Sequence, residues 1–108
     1  MSTAEIARRA AVFAALGDPT RLHLLGQMDR QRPRSVAALT LGTQLTRQAV
    51  AKHLRVLQRA GVVQPMKVER ELHFALRAEV LAEAYLRQVT LQWDDVLQRL
   101  RAHVEEGT

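Results

Sequence analysis

The chain has no cysteine among its 108 residues, which excludes disulfides, thiolate-held metals and thiol redox sensing. No apolar run approaches the ~20 residues of a membrane span. The opening MSTAEIARRAAVFAALGDP is broken by an acid and two arginines before any leader-like run develops. A soluble cytoplasmic protein without a membrane partner is therefore expected. A glycine-rich phosphate loop, paired acids in a cleft and a His–carboxylate constellation are also missing. An enzyme is the weakest functional class, and no cofactor is expected. The most telling absence is local. From Arg30 to Val68 there is not one Asp or Glu against eight Lys or Arg.

The net charge of +5 understates this asymmetry, because Glu69–Thr108 holds eight of the eleven acids against five arginines. Such segregation implies one surface that faces a polyanion and another that does something else. The length fits a single domain, 1–108, with a modest core that a dimer interface would supplement.

Helical periodicity dominates what is present. Ala4–Leu16 carries Ile6, Ala10, Phe13 and Leu16 at helical spacing. Asp18 is a good N-cap and Pro19 suits a first helical position, so a second helix runs from about Pro19 to Met28 with Leu22, Leu25 and Met28 inward. Asp29–Arg34 reads as a polar loop. Ser35 caps a short third helix, VAALTL, which Gly42 ends. Thr46 caps a fourth that runs to about Arg59 and stops at Ala60-Gly61. Two helices joined by a tight glycine-containing turn form a helix-turn-helix.

From Val62 to Leu76 the period changes. Val62, Val63, Met66 and Val68 precede Glu69-Arg70, after which Leu72, Phe74 and Leu76 alternate with Glu71, His73 and Ala75. That pattern predicts a β-hairpin with one buried face, a wing following a recognition helix. Ala78–Glu106 then reads as a long helix, with Leu86, Val89, Trp93, Val96 and Leu100 at the spacing of a helix–helix seam. The expected fold is mainly α with a β-hairpin wing: a winged helix-turn-helix in the order α-α-α-α-β-β-α.

On a helical wheel the fourth helix stacks Val50, Leu54 and Leu57 on one side, with Gln48, Lys52, Arg55 and Arg59 in a narrow arc opposite. A helix buried on one side and studded with Arg, Lys and Gln on the other suits the major groove of double-stranded DNA. Arg47 and Gln48 fall in its first turn, where base edges are usually reached. Lys52, Arg55 and Arg59 are assigned to phosphates. Thr46 and Ser35 are caps whose hydroxyls also face a phosphate in this reading. Ala51 allows close approach or meets a thymine methyl. Arg70 at the wing tip either enters the minor groove or is simply solvated. His53 reads as a structural histidine. His23 and His73 have no acidic partner at ligand spacing.

With these residues in hand, the chain resembles the ArsR-type (arsenic-repressor-like) winged helix-turn-helix regulators. The resemblance rests on FAALGDPTRLHLL (Phe13–Leu25), SVAALTLGTQLTRQAVAKHLRVLQRAGVV (Ser35–Val63), a hairpin ending in VERELHFAL and a closing helix. It implies a homodimer made by the first and last helices, through Ile6, Phe13, Leu86, Val89, Trp93, Val96 and Leu100, bound to a near-palindromic operator and repressing transcription. Metal-sensing members often carry Cys-x-Cys in the third helix, where this chain has VAALTL. Others bind zinc through Asp-x-His and His-x-x-Glu on the last helix. His103 and Glu106 match the second pair, whereas Thr90 and Gln92 stand where the first belongs. No metal site is assigned, and no inducer is identified, whether metal or small molecule. Glu69 stands at the hairpin tip, where the family usually has glycine, and glutamate tolerates positive φ poorly.

Two other readings compete with a repressor. One is a winged-helix module that binds protein or RNA, since fold alone does not settle function; such a module would have lost the Arg/Lys/Gln arc or broken it with acids. The other is a repressor induced by metal at His103 and Glu106.

Overall fold

The computed structural model describes residues 2–29 and 31–106, with the side chains of 91 and 92 set aside. Arg30, part of the expected polar loop, lies outside the described residues. Among the described residues five helices and three strands follow one another as α1 (Thr3–Leu16), α2 (Pro19–Gly26), β1 (Arg34–Ser35), α3 (Val36–Leu41), α4 (Arg47–Arg59), β2 (Val63–Val68), β3 (Glu71–Leu76) and α5 (Ala78–Glu106).

Each of the first four helices starts at a side-chain cap that takes one of the backbone N–H groups left without a helical partner. Ser2 Oγ accepts from Glu5 N, Asp18 Oδ2 from Arg21 N, Ser35 Oγ from Ala38 N and Thr46 Oγ1 from Ala49 N, at 3.0–3.1 Å. Gly61 adopts φ +79° just after α4, a conformation that costs a residue without Cβ little.

The core lies where α4 meets everything else. Val50, Leu54 and Leu57 pack with Val12 and Ala15 of α1, Leu24 and Leu25 of α2, and Leu39 of α3. Val62, Val63 and Phe74 close the core from the base of the wing, and Ala84 closes it from α5. Each fully buried Leu contributes about 1.5–3 kcal/mol, so the three apolar residues of α4 fix the azimuth of the whole helix.

Four features differ from the sequence expectation. First, β1 was not foreseen. It turns the hairpin into an antiparallel sheet of order β1-β3-β2, with Arg34 opposite Phe74 and Ser35 opposite His73. Two residues carry no periodicity, and their strand character comes wholly from β3. Second, α2 ends at Gly26, with Leu24 buried and Leu22 53% exposed. Met28 is buried beyond the helix end.

Third, α1 carries a second apolar stripe that was not named from sequence: Val12 and Ala15, with half-buried Leu16, face the core, while Ile6, Ala10 and Phe13 are exposed. At 100° per residue the two stripes lie about a third of a turn apart. Fourth, the wing buries only its base. Phe74 and Ala75 are both covered while Met66, Val68 and Leu72 are exposed, because the hairpin projects beyond the helices that would cover its tip.

Candidate nucleic-acid interface

The α3–α4 unit is held by tertiary contacts on three sides. Behind the turn between them, His23 Nε2 lies 2.9 Å from the Gly42 carbonyl and 2.9 Å from Gln27 Nε2. A Cβ on Gly42 would fall 2.2 Å from Gln27 Nε2, so any other residue there would have to displace the Gln27 side chain from this contact. On the flank of α4, His53 Nδ1 sits 3.4 Å from Arg21 Nη1 and 3.8 Å from Asp18 Oδ2. Arg21 also donates to the last carbonyls of α1, from Nε to Ala15 O at 2.6 Å and from Nη2 to Ala14 O at 3.3 Å. His53 thus sits half-buried between Arg21 and Asp18 on the flank of α4.

Asp18 is held below its ordinary pKa, chiefly by the Arg21 backbone N–H it accepts from. The Arg21 guanidinium and His53 act in the same direction, and desolvation opposes them. Sequence reasoning recognised Asp18 as a cap but missed Arg21. The only signal was its place three residues after that cap.

With the inner face of α4 buried, its outer arc is fixed. Gln48, Lys52, Arg55 and Arg59 are all exposed along one side of the helix, with Arg47 exposed and Ala51 half-buried beside them. Over 13 residues this face runs about 20 Å. Among the described residues none of these four basic side chains forms an ion pair with an acid. Thr46 and Ser35 spend their oxygen lone pairs on the helix caps, which leaves each hydroxyl proton available to a phosphate oxygen. Arg34, also missed from sequence, is exposed on β1 directly before the Ser35 cap.

At the wing, Val68 pairs with Glu71, so the connection is the two residues Glu69-Arg70. Glu69 adopts φ +61° and, among the described residues, is the one non-glycine residue with positive φ. Positive φ at the first central position but not the second is the pattern of a II′ hairpin turn, which normally takes glycine there. Arg70 is exposed at this tip. His73 on β3 has an acidic neighbour after all, with Nε2 3.4 Å from Glu71 Oε2. Two residues apart on a strand, the pair shares one face.

The expected interface residues are uncovered in the single chain. Ile6 is 52% exposed, Leu86 59%, Trp93 60% and Leu100 57%, with Phe13 and Val96 near 40% and Val89 half-buried. Beyond Ala84 no described side chain of α5 is buried. His103 and Glu106 are exposed in its last turns, and Thr90 is exposed further back; the side chain of Gln92 lies outside the described residues. Among the described residues no three His, Asp or Glu converge as a metal group, and no helix is long and apolar enough to cross a membrane.

Residues 16–64, from the end of α1 to the start of β2, match a helix-turn-helix domain family. An uncharacterized HTH-type transcriptional regulator of Bacillus subtilis is 41% identical over 59 residues, which is 49% of this chain and 64% of that one. A transcriptional repressor described as an SmtB homolog, from Synechocystis, is 32% identical over 76 residues, 70% of this chain and 57% of that one. The chain thus spans under two thirds of either curated relative. An ArsR-like transcriptional regulator from Rhodococcus sp. RHA1 matches in structure with a TM-score of 0.76 and 33% identity, covering 91% of this chain and 93% of that one. With one-third identity over nearly the full length of both chains, joined to the geometry above, the chain belongs to the ArsR family of transcriptional regulators.

Proposed function

We propose that the protein is a homodimeric repressor that reads a near-palindromic operator through α4. One observation carries this reading. The outward arc of Gln48, Lys52, Arg55 and Arg59 is exposed and acid-free while the opposite face of the same helix is 0–1% exposed. The helix is therefore anchored with its DNA-competent side outward. In the first turn Gln48, with Arg47 on its flank, meets base edges. Lys52 and Arg55 take phosphates, and Thr46 and Ser35 add hydroxyl contacts. Ala51 lets the backbone approach, and Arg70 reaches the neighbouring groove from the wing.

The second copy is supported by the apolar stripes of α1 and α5, which together leave an indole, a phenyl ring and several aliphatic side chains in water. Two-fold symmetry then sets the two recognition helices about 34–36 Å apart, one turn of DNA.

The test is binding to DNA from upstream of the protein's own gene, against scrambled DNA of equal length, at low and physiological salt. The expected result is selective binding with a steep salt dependence. Equal, salt-labile binding to both DNAs would reduce the basic face to an electrostatic footprint and overturn the operator reading.

A further inference from the structure

On the side of α4 away from its first turn, a cleft of about 480 Å³ opens between α1, the end of α4 and the start of α5. Its floor is apolar, made by Ala11, Val12, Ala60, Val80 and Ala84. Its walls are charged: Arg8, Arg9, Arg59 and Arg87 against Glu5 and Glu83, an excess of two positive charges. Arg87 is already engaged, its Nε 3.1 Å from Glu83 Oε1. Arg8 and Arg59 form no ion pair among the described residues.

An apolar floor beneath guanidinium groups selects a ligand that is apolar at one end and anionic at the other. A carboxylate offers two oxygens to one guanidinium fork, and a ring or short chain displaces water from the alanine and valine surface. Inorganic anions would forgo the floor, and neutral aromatics the arginines.

We propose that this cleft binds a small organic acid, a carboxylate on an apolar body, and that its occupation releases the protein from DNA. The second half rests on the DNA-binding reading above. The three walls belong to the helix that carries the DNA-facing arc and to the two helices that carry the apolar stripes. Arg59 is shared: it ends the basic row of α4 and lines the cleft. A carboxylate paired with Arg59 cancels one charge of that row and pins the end of α4 against α1 and α5.

The experiment uses the full chain, with benzoate as the probe and benzamide, acetate and chloride at matched ionic strength as comparisons. Amide resonances are followed by NMR at probe concentrations up to about 10 mM, the range for a weak small ligand. Saturable shifts at Val12, Gly61 and Val80 with benzoate are expected. Benzamide and acetate should be much weaker, and the shifts should vanish in the doubly substituted R8Q/R59Q chain. Both sites are exposed, so this variant keeps its fold, which circular dichroism checks.

Three results overturn the site: no shift with benzoate, equal shifts with benzamide or acetate, or shifts that persist in the variant. Once DNA binding is established, benzoate should weaken it about fivefold or more in the parent chain but not in a singly substituted R8Q chain, which leaves the α4 arc intact; no change in the parent chain overturns the release step. Failure to bind any DNA sinks the repressor reading instead, and the NMR titration still decides the cleft.

Discussion

At the scale of single residues, the roles along α4 separate by what each side chain can read. Replacing Gln48 with Ala removes a donor–acceptor pair matched to adenine, so discrimination at one operator position should fall by about 1–3 kcal/mol. Lys52→Ala should weaken all sequences nearly equally and lower the salt slope by about one. Anisotropy titrations over an operator series distinguish the two, and uniform loss from both would show the base reader misassigned. Glu69 holds positive φ with a side chain that disfavours it. Glu69→Gly should therefore raise stability by roughly 1 kcal/mol in denaturant titrations and tighten DNA binding by removing a carboxylate near the phosphates. Asp18 gives a pH prediction. Its folded pKa lies below the usual carboxylate value, so its contribution is present above that value and lost as pH falls through the folded pKa. Asp18→Asn should keep the cap yet lose less stability on acidification, read as melting temperature against pH. A parallel acid profile would remove Asp18 from the acid response.

At the scale of elements, what matters is how α4 is held. Its inner face was legible from the spacing of Val50, Leu54 and Leu57 alone. The flank was not. Arg21 links the C-terminus of α1 and the start of α2, next to each other in the chain, to His53 of α4, 32 residues away. Arg21→Ala should cost about 1–2 kcal/mol by loss of charged hydrogen bonds to the α1 carbonyls. Denaturation should show the loss, and an unchanged midpoint would mean water replaces those contacts. β1 teaches the same lesson, since two residues become a strand because β3 presents an open edge. The turn of Glu69-Arg70 was visible, but its backbone conformation was left open, because pairing of β2 with β3 forces φ on a residue whose own preference is elsewhere.

At the scale of the whole molecule, the extents of 68 × 26 × 23 Å follow from α5. Its 29 residues span about 43 Å, and only the first part packs on the core. The seam read from Leu86 to Leu100 faces water in the single chain, where a packed partner is expected. Trp93→Asp should dissociate the dimer in sedimentation and weaken operator binding with it. A monomeric parent chain would overturn that expectation.

The sequence by itself determined the starts of α2, α3 and α4 at Asp18, Ser35 and Thr46, the hairpin, the inner face of α4 and the acid-free arc opposite. These follow from local backbone chemistry and from periodicities that need no knowledge of partners. Only the tertiary structure decided which of the two apolar stripes of α1 is buried, how far the wing is covered, and that Arg21 and Arg34 stand beside the recognition unit. It also brought arginines from α1, α4 and α5 around one cleft. The physical reason is common to all: periodicity shows that a face is apolar or charged, whereas what that face meets depends on contacts between residues distant in the chain.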